Sequence, residues 1–172
     1  HLTGNMEELK KALNAYNQTN TPVVVSGEYG TGRTAVASYI YTHSPNRRKS
    51  LVEIDCALIG EKSKDFLFNS QKSPMFFSGN TIHFKNMDQC SIGLMKEFLN
   101  VVEYTNLCQN NHVIFSGDSA IGAFNQQLRY IKDKFQCYHI QLQPLRDSIE
   151  QIPAIANLYL NYLNTTIPNE VL

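Results

Sequence analysis

The sequence predicts an α/β domain built on a mainly parallel, five-stranded sheet with helices on both faces. Three observations carry this reading. Five short apolar runs, several rich in β-branched residues, alternate with segments of helical periodicity. The first run leads directly into a glycine-rich turn and a helix. The chain has 172 residues, 42% hydrophobic and 17% charged, which suits one soluble domain with a proper core.

The elements follow in order. Asn5 to Tyr16 reads as a short amphipathic helix, with Met6, Leu9 and Leu13 on one face. Asn17 to Pro22 is a polar loop, and Pro22 to Val25 a strand buried on both faces. The turn Gly27 to Gly32 precedes a helix over Thr34 to Thr42. Ser44 to Ser50 reads as a solvated loop; its Arg47-Arg48-Lys49 run is the alternative phosphate-contacting patch. Leu51 to Asp55 is the second strand, and residues 60–80 are polar without a clear period. Thr81 to Phe84 is the third strand. Ser91 to Tyr104 is a helix whose apolar face is Ile92, Met95, Phe98, Leu99 and Val102. His112 to Ser116 is the fourth strand, Leu128 to Phe135 a helix, Tyr138 to Leu142 the fifth strand, and Ile152 to Leu163 a last helix.

Composition narrows the function classes. A formal net charge of +0 provides no global field toward nucleic acid or an anionic membrane. No run approaches the roughly 20 apolar residues of a membrane span, and no signal peptide is visible. Cys56, Cys90, Cys108 and Cys137 are scattered, which argues against a zinc site or a disulfide framework. Buried thiols in a reducing cytoplasm are the expectation.

The chemistry concentrates in Gly27-Glu28-Tyr29-Gly30-Thr31-Gly32-Arg33-Thr34. This matches the P-loop pattern G-x-x-x-x-G-K-T, with Arg33 in place of lysine. Glycines let backbone N–H groups converge on phosphate oxygens, and the following helix aims its positive end at the anion. A guanidinium keeps the charge but is bulkier and forked, so it meets phosphate in a shifted position.

With this loop in hand, the chain resembles the AAA+ core of sigma-54-dependent bacterial transcription activators. Gly27 to Arg33 is similar to their GESGTGK loop, and Leu51 to Ala57 to their FVxVNCA strand. Gly79 to Asn86 resembles their GGTLFLDE segment, the Walker B strand. Leu142 to Asp147 resembles LPPLRE, and Ile149 to Pro153 resembles REDIP. The resemblance spans nearly the whole chain, residues 1–172. It implies a three-layer αβα P-loop NTPase core, with no lid subdomain in this fragment of a larger regulator. It implies ATP or ADP as ligand, and oligomerisation with other copies or contact with other domains of the parent. DNA would be reached only through a domain outside residues 1–172.

Departures from the family pattern shape the functional expectation. Lys85-Asn86 stands where the family has Asp-Glu. Two unit charges at about 4 Å interact by about 4 kcal/mol at an effective dielectric near 20, and an ammonium facing a divalent ion costs roughly twice that. Asn86 accepts no proton, so it is no general base. The GAFTGA contact loop is missing between Ala57 and Gly79, which puts direct sigma-54 contact in doubt; Phe66-Leu67-Phe68 reads as a packing segment. The family's trans-acting arginines fall at Leu128 and Lys134, and its sensor asparagine at Asp118. The family asparagine that restrains the Walker B glutamate corresponds to Asp55. Asp55 is therefore expected to hydrogen-bond Asn86 and to have Lys85 within ion-pair reach, with independent drift as the alternative.

The expectation is a degenerate domain that keeps the phosphate loop, binds ATP or ADP weakly without normal Mg²⁺, and does not hydrolyse ATP. Gly27, Glu28, Tyr29, Gly30, Thr31, Gly32, Arg33, Thr34, Asp55, Lys85, Asn86 and Asp118 are its candidate nucleotide-site residues, with no catalytic or metal-ligating residue assigned. The alternative readings are an active ATPase with rearranged Walker B chemistry and a P-loop small-molecule kinase.

Overall fold

A computed structural model describes residues 14, 18–44 and 50–142. The predicted helices over Asn5 to Tyr16 and Ile152 to Leu163, the Arg47-Arg48-Lys49 patch and the Pro144-Leu145-Arg146 segment lie outside the described residues, apart from Asn14.

Five strands form one parallel sheet: β1 (Val23–Gly27), β2 (Leu51–Asp55), β3 (Thr81–Lys85), β4 (His112–Asp118) and β5 (Tyr138–Gln141), in the spatial order β2-β3-β4-β1-β5. The helices are α1 (Arg33–Thr42), α2 (Glu61–Asn69), α3 (Ile92–Tyr104), α4 (Leu107–Asn110) and α5 (Gly122–Lys134). Alternation along the strands sends side chains to opposite faces. Val23, Val25, Ile114 and Ile140 pack against Val36, Ala37, Tyr39 and Ile40 of α1. Val24, Ile54, Ile82, Phe84, Val113 and Phe115 pack against α3 and α5. Two apolar layers on one sheet give the expected three-layer sandwich.

Where expectation and structure part, local chemistry explains the difference. Residues 60–80 are not irregular: they hold α2 and the 3-10 turn Pro74–Phe76, with another such turn over Cys56–Leu58. Helix α2 buries Leu67 alone among its residues, so it carries little apolar periodicity to read. Helix α5 begins at Gly122 rather than Leu128, because Phe124, Gln127 and Ile131 form its buried stripe and a polar glutamine hides the period. Phe66-Leu67-Phe68 is a packing segment in part: Leu67 is buried and Phe68 packs on the core, while Phe66 is 46% exposed.

The larger core centres on Phe84, whose ring stacks with Phe98 at 5.4 Å and Phe115 at 5.5 Å. Phe84 is 2% exposed. Phe84→Ala is expected to cost about 3–5 kcal/mol of unfolding free energy in a denaturant titration, from lost transfer plus cavity. A cost under about 1 kcal/mol would contradict this packing.

Candidate functional site

The parallel register brings the C-terminal ends of β1, β2, β3 and β4 to one edge of the sheet. Gly27 lies opposite Asp118, and Asp55 opposite Lys85. Such an edge is where open α/β sheets bind ligands.

The glycine loop leaves β1 here. A Cβ on Gly27 would collide with the Thr31 hydroxyl and meet Leu142 at 3.0 Å, so the loop closes back tightly on the strand. Thr31 holds that closure, its N–H and hydroxyl both donating to the Glu28 carbonyl, at 3.1 and 2.7 Å. Gly30 and Gly32 take φ values of 86° and 95°, a left-handed backbone that glycine adopts without Cβ strain. Gly32 caps α1 with no side-chain bond, and the first turn of α1 has no acidic residue. No acid of the helix itself therefore opposes its positive end. Tyr29, at the tip, is 90% exposed, and Thr34 is exposed in the first turn.

Arg33 is mostly buried, and its Nη1 atom has no hydrogen-bond partner. The nearest counter-charge is Asp88 Oδ1 at 3.9 Å. Nη1 is enclosed on the Asp88 side, so what Arg33 offers an anion at the glycine cradle is the charge of its guanidinium rather than that donor.

At the neighbouring strand ends, Asn86 Nδ2 donates to Asp55 Oδ1 at 2.9 Å. The same oxygen accepts the Ala57 N–H at 3.0 Å, capping the turn after β2. Asn86 has φ 58° and ψ 41°, a left-handed conformation that asparagine tolerates better than most residues. The expected Lys85–Asp55 ion pair is not formed among the described residues. The two are register partners across β2 and β3, and Asp55 Oδ1 instead accepts from Asn86 and Ala57. Asp118 Oδ1 accepts the Ala120 N–H at 2.9 Å, and its own N–H donates to Asp88 Oδ1 at 2.9 Å. Leu128 packs against the core, and Lys134 pairs with Glu103 at 3.2 Å. Within this subunit, then, one position carries no charge and the other's charge is already matched.

Three polar side chains next to the site were not singled out from sequence. Asp88 sits on the 3-10 turn after β3, so its approach to Arg33 depends on a tertiary fold-back with no sequence periodicity. His83 and Ser116 form a buried chain. His83 Nδ1 donates to Glu53 Oε2 at 3.2 Å, and Nε2 accepts from the Ser116 hydroxyl at 2.6 Å. Burial pushes His83 below its ordinary pKa despite Glu53, so the contact is a hydrogen bond of a neutral ring. The His83 hydrogen bond in turn holds the Glu53 carboxyl below its usual range, with Lys85 adding to the effect. A histidine inside an otherwise apolar strand was the available signal.

This sheet order, glycine cradle and strand-end polar cluster define a P-loop NTPase core of the AAA+ class. Residues 2–97 match the family model described as the Sigma-54 interaction domain, and the chain belongs to that family. Among relatives, the DNA-binding transcriptional activator HyfR of Escherichia coli strain K12 is 24% identical over 97% of this chain and 30% of its own length. The response regulator PilR of Pseudomonas aeruginosa is 22% identical, over 92% of this chain and 41% of its own length. The chain thus spans well under half of these relatives. NtrX from Brucella abortus, crystallised with ADP, matches with a TM-score of 0.68 at 14% identity, over 98% of this chain and 43% of that one. The P-loop NTPase domain of an E. coli sigma-54 activator matches with a TM-score of 0.52 at 17% identity, over 81% of this chain and 95% of that one. These structural likenesses establish the fold.

A second polar chain backs the loop from behind. Lys132 donates to His139 Nδ1 at 3.2 Å, which leaves Nε2–H to donate to Ser26 Oγ at 2.7 Å, one residue before Gly27. Burial, then the Lys132 charge, pushes His139 down to about 4 from 6.5. A depressed histidine pKa favours the neutral ring in the fold. Its contribution to stability is therefore whole above pH 6.5 and lost as pH falls toward about 4. His139→Gln is expected to flatten this part of the stability–pH curve in denaturant titrations. An unchanged acid slope in the variant would contradict it.

Proposed function

We propose that this chain is the nucleotide-binding core of a bacterial transcription regulator that keeps its phosphate loop but does not hydrolyse ATP. It serves as a regulatory or oligomerisation module within a longer cytoplasmic protein, whose DNA contact is made by a domain outside this fragment. Among the described residues no helix is long and apolar enough to cross a membrane.

The observation that carries this reading is the pair at the end of β3. Lys85 and Asn86, the latter bound to Asp55, stand at the sequence positions where the family carries the acids of Mg²⁺ chemistry. Hydrolysis requires an anionic anchor for the metal and a proton acceptor for the attacking water. Asp55 is the nearest replacement acid, but its Oδ1 is engaged by Asn86 and Ala57.

A nucleotide still fits the cradle. The Gly27–Gly32 backbone and the N-terminus of α1 would hold its phosphates, and the Arg33 guanidinium in the first turn would add its charge. When bound, the nucleotide supplies a polyanion that ties β1 and α1 together. NtrX and other relatives of this architecture supply the precedent, since NtrX has been crystallised with ATP and with ADP.

The experiment is calorimetric ATP binding with and without Mg²⁺, paired with a phosphate-release assay. Weak binding, little changed by the metal, and no turnover are expected. Tight Mg²⁺-dependent binding with turnover that disappears in Asp55→Ala would overturn the proposal in favour of rearranged catalysis.

A further inference from the structure

Asp88 belongs to none of the motifs above, yet it stands closest to the cation of the loop. Its side chain is 3% exposed. Oδ1 accepts the Asp118 N–H at 2.9 Å and faces Arg33 Nη1 at 3.9 Å; Oδ2 accepts from Gln89 Nε2 at 2.6 Å. A carboxylate held this way by two N–H donors cannot swing away cheaply.

In a P-loop the backbone N–H groups cradle the inner phosphates, while the cation at the position of Arg33 reaches the β- and γ-phosphates. We propose that Asp88 is an internal stand-in for the terminal phosphate, so that the loop selects a nucleoside diphosphate over a triphosphate. This selectivity rests on the reading of the loop as a nucleotide site. At 3.9 Å the Arg33–Asp88 contact neutralises charge without a hydrogen bond, and Nη1 remains unsatisfied. The Arg33 charge is thus partly matched from within, and what remains suits a β-phosphate. A third phosphate would find the Arg33 charge already matched by Asp88 and would be repelled by that enclosed carboxylate. It would also approach Asp118, which lies opposite the first glycine of the loop. With the Walker B acids replaced, no bound Mg²⁺ screens that repulsion.

The test is calorimetric titration of ADP and of ATP in EDTA, on the wild-type chain, Asp88→Asn and Asp118→Asn. Asparagine at 88 keeps an oxygen acceptor for the Asp118 N–H and removes the charge. The wild type is expected to bind ADP at least about tenfold tighter than ATP, as befits like charges brought together. Asp88→Asn is expected to close most of that gap by tightening ATP, with ADP little changed; Asp118→Asn closes less of it. Equal affinities in the wild type, a preference for ATP, or an unchanged gap in an Asp88→Asn variant that still binds ADP would overturn the selectivity and leave the nucleotide site standing. If Asp88→Asn binds neither nucleotide, the wild-type preference decides alone. A wild type that binds neither ADP nor ATP would overturn the nucleotide reading and this selectivity with it.

Discussion

The hydrogen bond from Asn86 to Asp55, at 2.9 Å, ties the ends of two adjacent parallel strands together at the edge where the phosphate loop opens. Hydrogen bonds to a charged acceptor contribute about 1.5–3 kcal/mol, more than neutral pairs do. The contact shapes the edge in two ways. It occupies one oxygen of Asp55, and it anchors Asn86, the residue that leads into the 3-10 segment carrying Asp88. A site that would otherwise present free carboxylates to a metal instead presents carboxylates already bound to N–H donors.

The charges around the loop follow the same logic. Arg33 faces Asp88, the Asp118 N–H is bonded to that same carboxylate, and Asp55 holds Asn86 and Ala57. These are intramolecular partners where an active nucleotide site would leave room for phosphate and metal. Behind the loop, the Ser26–His139–Lys132 and Glu53–His83–Ser116 chains satisfy polar groups inside the sheet layers. Paired networks of this kind, buried at Ser26, His83 and Ser116, favour one arrangement over its competitors. The fold of the family is kept, and the polar side chains at the strand ends pair with one another.

Much of this was legible in the sequence. Strand β1, the glycine turn and α1 are contiguous, so short-range pattern alone reveals them. The Asp55–Asn86 contact was legible through the family resemblance, which places an asparagine at 55 beside the Walker B glutamate at 86. The Lys85 contact was not, because Asp55 Oδ1 had a backbone donor, Ala57 N–H, that no strand pattern exposes. Helix α2 was missed because it is polar on most of its surface, and the start of α5 because Gln127 occupies a buried position, donating to the Cys90 carbonyl at 2.9 Å. Asp88 was invisible for a related reason. Its role arises only when a one-turn segment after β3 folds back over the loop.

The central claim is that the strand-end edge offers no acidic anchor for a divalent ion beside a bound nucleotide. The most direct test is a crystal structure of the chain grown with nucleotide and excess Mg²⁺. The account expects phosphates on the Gly27–Gly32 backbone, the Asn86–Asp55 bond intact, and no metal bound by a protein carboxylate. An octahedral Mg²⁺ held by Asp55 or Asp88 and bridging to a phosphate oxygen would contradict it.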